Sequence, residues 1–355
     1  MTLTDLRKTP FPWFGGKADA APAVWDALGD VDHYCEPFAG SLAVLLRRPH
    51  PCNRTYYSET VNDLDGLLCN AWRAIAADPD GVAEAASWPV CEADLHARHL
   101  ALLRWREERQ LEHLMGDPAF CDIRMAGWWL WGQSAWIGGG WCSGDGPWIV
   151  GDDGRIEKRK GSRGVGRQLP HLGDDGRGVH HAGLREPGVS AEEEYHPMTM
   201  PELRRWMRFL SARLRHVRIL NGDWARLTTS GALQSLPVRQ GGHAGVFLDP
   251  PYSHDVRASA LYAHESATVA DDVRAWCLEN GGNPRYRIVL AGYAAEHGAL
   301  EAAGWRSVAW YRGGFLRGGY ANQGEGGTQQ DQERLWLSPH CLGAVKESPQ
   351  MGLFA

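Results

Sequence analysis

The chain has 355 residues, 43% hydrophobic and 23% charged, a globular composition long enough for one large or two modest domains. No run approaches the roughly 18 uninterrupted apolar residues of a membrane span, and the segment from Met1 to Gly16 lacks the apolar stretch of a secretory signal. A net charge of -6 excludes a surface that is basic all over, and leaves a local basic patch as the route to any nucleic-acid contact.

The eight cysteines, at 35, 52, 69, 91, 121, 142, 277 and 341, form no Cys-x-x-Cys pair. That scatter suits reduced thiols in a cytosolic protein, not a disulfide frame or a zinc site. His96 with His99, and His180 with His181, have no cysteine partners close by and read as solvated or capping side chains, so no metal is expected.

In chain order, residues 31–45 predict a short strand ending at Glu36, a tight glycine turn and the start of an apolar helix. A second strand at about Thr55–Val61 leads through Asn62-Asp63 to a helix near Leu67–Ala77. Strand, turn, helix and strand at this spacing make a βαβ unit, the seed of a parallel sheet. From Asp78 to about Gln110 the chain is polar and helical in tone, and Gly127–Trp148 is dense in tryptophan and glycine. Trp129 and Trp131 are expected in the core. Asp153-Gly154 then separates two strand-like runs, predicting a β-hairpin.

Thr199-x-x-Glu202 is a capping box, with Pro201 in the first turn where its missing N–H costs little. Leu203, Trp206, Met207, Leu210 and Leu214 mark one apolar helical face. Strands follow at Val217–Leu220 and Ala244–Leu248, then a helix near Thr268–Glu279. Further strands are expected at Arg287–Ala291, Ser307–Tyr311 and Arg334–Leu337. The architecture this predicts is an α/β sheet domain built from 1–77 and 199–340, with a region inserted at 78–198 and a loose tail at 341–355.

Asp249-Pro250-Pro251-Tyr252 stands directly after the apolar strand ending at Leu248. Ligands in open α/β sheets sit beyond the carboxyl ends of strands. Asp249 and the Pro250 carbonyl are acceptors, and neither proline has an N–H, so the turn suits an amino group with two hydrogens to donate. Tyr252 adds a ring on which a planar base can stack. The plainer reading of Asp-Pro-Pro alone is a rigid strand-exit turn with a capping aspartate.

This tetrad, with Glu36-Pro37-Phe38-Ala39-Gly40-Ser41 far upstream, resembles the Dam-type DNA adenine-N6 methyltransferases. Phe11 to Lys17 is similar to the family's N-terminal W-x-G-G-K. Val61-Asn62-Asp63, Gly222-Asp223-Trp224 and the late Glu333 to Ser338 segment resemble further family segments, so the likeness runs over roughly residues 11–340. The family often carries a second glycine after the first turn, where this chain reads Phe38-Ala39-Gly40-Ser41-Leu42.

The resemblance implies a Rossmann-like fold that uses S-adenosylmethionine to methylate the N6 amine of a flipped-out adenine in double-stranded DNA. It makes 1–77 the cofactor-binding half of the core, 199–340 the catalytic half and 78–198 the target-recognition region. Asp249, Pro250, Pro251 and Tyr252 then form the catalytic loop. Trp13, Lys17, Glu36, Pro37, Phe38, Gly40, Ser41, Asp63, Asp223, Trp224 and Asp249 become cofactor contacts. Within that set Lys17 is matched to the cofactor's carboxylate, Asp63 to its ribose hydroxyls with Glu59 as the competing acid, and Asp223 to its adenine amine. The structural alternatives for Lys17 and Trp13 are a surface lysine and a core tryptophan. A cationic sulfonium cofactor calls for acidic and carbonyl groups in place of a phosphate nest.

Arg155, Lys158, Arg159, Lys160, Arg163 and Arg167 cluster on and just after the expected hairpin, with only Glu157 opposing them. A two-stranded ribbon fits the major groove, where arginine reads guanine edges and lysine holds phosphates. A solvated loop is the alternative. Gln133 is a further candidate for that surface. Rival functions are methylation of RNA or of a cytosine amine, and a DNA-binding regulatory protein with a degenerate cofactor site.

Overall fold

The two central strands, β1 (His33–Glu36) and β6 (Ala244–Leu248), are buried at every position; β6 is an unbroken apolar run, as a strand covered on both faces should be, whereas β1 buries His33 and Glu36 at its ends. The computed structural model describes residues 8–11, 13, 16–49, 58–108, 110–117, 119–136, 141–142, 148–150, 156–158, 199–251, 269–310 and 333–343. Before β1 lies helix α1 (Ala21–Leu28), which the sequence reading did not anticipate despite Pro22 in its first turn and Gly29 just past its end. After β1 the expected apolar helix is a single turn, α2 (Ala43–Leu46), entered through Leu42 at φ 57°.

β2 (Ser58–Asp63) runs two residues further than its sequence bounds, because Asn62 and Asp63 pair with Leu220 and Asn221 of β5 (Val217–Asn221). Helix α3 (Gly66–Ala77) starts on Asp65, whose carboxylate accepts from the N–H groups of Leu67 and Leu68. Helices α4 (Pro79–Ala86), α5 (Glu92–Glu107), α6 (Gln110–Gly116) and α7 (Ile123–Ala135) follow. Then comes the hairpin, β3 (Trp148–Val150) antiparallel to β4 (Ile156–Lys158), as the Asp-Gly turn predicts. Helix α8 (Met200–Leu214) opens on the predicted capping box, with the Thr199 N–H donating to Glu202 at 2.8 Å.

Short helices α9 (Ser230–Leu233) and α10 (Leu236–Arg239) lead into β6. The last part adds α11 (Val269–Asn280), β7 (Tyr286–Tyr293), α12 (Ala294–His297), α13 (Ala299–Ala302), β8 (Arg306–Ala309) and β9 (Glu333–Leu337). The seven-stranded sheet has the order β5-β2-β1-β6-β7-β9-β8. Strands β5 through β7 in that order are parallel, and β9 runs antiparallel to both β7 and β8. This is a Rossmann-like α/β fold. The chain winds outward from β1 in one direction, returns, and winds outward from β6 in the other. Strand order therefore reverses between β1 and β6, and such a reversal opens a ligand crevice at the carboxyl ends.

Period-two alternation sorts side chains onto the two faces. Val246, Leu248, Ile288 and Leu290 pack with Val273, Cys277 and Trp305 on one face, while Phe247, Val289 and Ala291 join the opposite cluster. That second cluster takes in α1, α3, α4, α7 and α8, including Trp72, Trp129, Trp131 and Trp206. The expected α8 face is fully buried. Helices α4 and α7, within 78–198, thus share one core with the sheet. They touch at Gly127, where a Cβ would lie 2.3 Å from the Ala85 Cβ. At the other end, the Leu342 N–H donates to the Ala27 carbonyl at 2.8 Å, laying the start of the expected tail against α1. Among the described residues no helix is long and apolar enough to cross a membrane.

Candidate functional site

Four strands end together at the carboxyl edge, and their exit turns carry most of the residues singled out by sequence. Glu36 closes β1, is 2% exposed, and accepts from the Tyr34 hydroxyl at 3.0 Å. Burial pushes its carboxyl well above the usual range, and the charges of Asp249 and Asp63 push in the same direction, against the lowering effect of the Tyr34 bond. The crevice is therefore acid-rich, with three carboxyls close enough to sense one another.

The Pro37-Phe38-Ala39-Gly40-Ser41 turn is pinned to β2 from two directions. The Ala39 N–H donates to the Asn62 carbonyl at 2.8 Å, and the Gly40 N–H donates to Asp63 Oδ2 at 2.9 Å. Gly40 has φ 45°, and a Cβ there would stand 2.6 Å from Trp13 Nε1. Only glycine meets both conditions at that position. Trp13 thus packs over the turn, half-buried, and Ser41 is buried beneath Gly16.

Asp63 also accepts from the Asp65 N–H at 3.0 Å. Desolvation raises its pKa to about 6, with the backbone donors of Asp65, Gly40 and Leu64 pulling the other way. Glu59, four residues earlier on the same strand, is fully buried and held by Arg48 at 2.9 Å and Arg213 at 2.6 Å. Its carboxylate is committed to those guanidinium groups at the opposite end of β2.

Asn62 is a contributor that sequence reasoning quoted without assigning it a role. Its side-chain amide donates to the Pro37 carbonyl at 3.0 Å and to the Gly222 carbonyl at 2.8 Å, so one buried residue ties the turn after β1 to the turn after β5. Across that tie the rings of Phe38 and Trp224 stack, with centroids 5.8 Å apart and planes 27° from parallel. Asp223 is exposed and accepts from the Ala225 N–H at 2.8 Å, starting the short 3-10 turn that presents Trp224.

Asp249 follows β6 across the switch point from Glu36, and Pro250 beyond it is buried with Pro251 partly covered. Lys17, which is 4% exposed, places its Nζ 2.9 Å from Asp249 Oδ1 and 3.2 Å from Glu333 Oε1. Glu333 heads β9 and is a site neighbour the sequence reading left out. In chain order it is only the first residue of a strand, and nothing in its spacing points to Lys17.

Tyr252, the fourth residue of the tetrad, lies outside the described residues, as do Arg155, Arg159, Lys160, Arg163 and Arg167. Lys158 ends β4, and Gln133 is half-buried on α7. His99 stacks on Trp136 at 5.2 Å, and among the described residues no group of three or more His, Cys, Asp and Glu is placed to hold a metal ion.

Chemically, the crevice combines ionisable oxygens, a tight glycine turn whose N–H groups are engaged by β2, and a pair of stacked aromatic rings. Such a set accepts from amines and hydroxyls, balances a cation and grips a flat heterocycle. Residues 13–95, which contain the turns after β1 and β2, match the model of the family described as D12 class N6 adenine-specific DNA methyltransferase. No relative among curated proteins matches the chain.

Proposed function

We infer that this chain, a D12 class N6 adenine-specific DNA methyltransferase, works through the crevice at the β1/β6 switch point. The observation that carries the assignment of the site is the placement of Asp249-Pro250 at the end of β6, beside the Glu36 and Gly40 turn at the end of β1. The chemistry of the lining fits S-adenosylmethionine. Carboxyls suit a sulfonium cation, and the acid at the end of β2, held beside the Gly40 turn, suits ribose hydroxyls.

Asp63 holds the ribose, Trp224 or Phe38 packs on the adenine ring, and Asp223 accepts from its amine. Trp13, Lys17, Glu36, Pro37 and Ser41 complete the wall around the remainder of the cofactor. Bound, the cofactor supplies an electrophilic methyl group on a positively charged sulfur.

The adenine N6 amine of DNA is a poor nucleophile because its lone pair is conjugated with the ring. Asp249 and the Pro250 carbonyl accept hydrogen bonds from its two N–H groups, favouring a tetrahedral nitrogen whose lone pair points out of the ring plane, and one of those two protons leaves once the nitrogen carries the methyl. Positioning supplies much of the rate. A base in a duplex is out of reach, so the target is extruded and lands on Tyr252. The hairpin residues Arg155, Lys158, Arg159, Lys160, Arg163 and Arg167, with Gln133, provide the DNA contact, and 78–198 is the target-recognition region around them.

Nucleoside mass spectrometry of unmethylated DNA, after incubation with the chain and S-adenosylmethionine, tests this reading. N6-methyladenine as the product supports it. N4-methylcytosine, or methylation of RNA alone, overturns it.

A further inference from the structure

The Lys17 ammonium is a buried cation with two carboxylates within 3.2 Å, one at the exit of β6 and one at the head of β9. Glu333 reaches it because β9 runs antiparallel to β7. The register pairs Glu333 with Tyr293, so the head of β9 falls at the carboxyl end of β7, next to the exit of β6. Side-chain exposure along this bridge is 14% at Glu333, 4% at Lys17 and 20% at Asp249.

A lysine tail has four rotatable carbons and a point charge, so one partner does not fix its position. A second partner narrows it. With Glu333 in place the ammonium is held between two anchors, and the Asp249 carboxylate meets a charge-assisted donor at a set point. Without that cation the crevice would hold Asp249, Glu333 and Glu36 as neighbouring acids. The Asp249 charge pushes the Glu36 carboxyl upward, so these two acids sense one another.

We propose that Glu333 is a positioning residue for methyl transfer: it clamps Lys17 against Asp249 Oδ1 and thereby fixes the orientation of the carboxylate that receives the substrate amine. The inference rests on the role assigned to Asp249 above. It assigns Lys17 to the acceptor side of the reaction, in addition to any contact it makes with the cofactor.

The test compares wild type, Glu333→Gln, Glu333→Asp, Lys17→Met and the Glu333→Gln/Lys17→Met double variant. Transfer of a tritiated methyl group to genomic DNA free of N6-methyladenine gives kcat and KM, and calorimetric titration gives cofactor affinity. Glu333→Gln is expected to lower kcat by about 10- to 100-fold, as outer-shell partners of an active group do. Its cofactor Kd should stay within about threefold of wild type, since the ion pair it removes orients the acceptor and adds nothing to uniform binding. Lys17→Met should lower kcat comparably, the double variant should be no worse than the poorer single, and Glu333→Asp should retain more activity than Glu333→Gln.

An unchanged kcat in Glu333→Gln overturns the proposal, as does a fully additive double variant. So does a Lys17→Met variant that loses cofactor affinity with kcat intact, which puts Lys17 on the cofactor alone. If Glu333→Gln does not fold, Glu333→Asp carries the test: activity and cofactor affinity falling together overturn the proposal, and a loss confined to kcat supports it. A wild-type chain that makes no N6-methyladenine overturns the reading of the site itself, whatever the variants do.

Discussion

Replacing Asn62 with alanine removes a side chain that ties the turn after β1 to the turn after β5. Its amide makes two hydrogen bonds, to the carbonyls of Pro37 and Gly222, at a site 1% exposed. Each carbonyl left without a donor costs about 1–3 kcal/mol when buried. Asn62 Oδ1 has no partner among the described residues, and deleting it relieves part of that cost. The net loss of folding stability should then be about 2–3 kcal/mol, toward the lower end of the two-bond sum.

The effect on binding should be sharper than the effect on folding. Phe38 and Trp224 sit on the two turns that Asn62 joins, and their stacked geometry depends on the register between those turns. Urea denaturation reads the stability, and calorimetric titration with S-adenosylmethionine reads the affinity. Cofactor binding weakened by about tenfold or more, which is about 1.4 kcal/mol, is expected in the folded variant. A variant that loses stability as stated but binds the cofactor like wild type would show that the two turns do not form one cofactor wall.

Two further outcomes follow from the same structure. Asp63 holds its proton up to about pH 6, above the ordinary aspartate range, and a carboxyl accepts hydrogen bonds most strongly once ionised. Cofactor affinity should therefore rise as pH increases through about 6 and level off above it, and titration of Asp63→Asn should show a weaker affinity without that step. Neutralising Arg155, Lys158, Arg159 and Lys160 together should weaken DNA binding and flatten its dependence on salt, by up to about 0.9 in log-log slope for each phosphate no longer neutralised. An affinity unchanged across a salt series would remove the hairpin from the interface.

Most of the fold was legible because it is written locally. The apolar run of β6, the βαβ pattern from 31 to 77, the capping box at Thr199 and the Asp-Gly hairpin each depend on residues close in sequence, and each formed where expected. Helix α1 went unread although Pro22 and Gly29 bracket it and Val24, Trp25 and Leu28 mark its buried face, because eight residues give only about two turns of periodicity. The site divided along the same line. Gly40 and Asp249 lie in short motifs, but Asn62 and Glu333 act through contacts with residues far away in the chain, which no spacing encodes. The choice between Glu59 and Asp63 shows the limit well. Both acids point the same way along β2, and only Arg48 and Arg213, folded onto the other end of the strand, separate the structural carboxylate from the one at the crevice.

The most direct measurement is methyl transfer by Asp249→Ala, made alongside calorimetric titration of the same variant with S-adenosylmethionine. Loss of N6-methyladenine formation with cofactor binding largely kept is the expected result, because the side chain is needed to receive the amine and most of the cofactor wall stands without it. Turnover close to wild type would contradict the assignment of Asp249 as the acceptor and, with it, the mechanism built on the β1/β6 crevice.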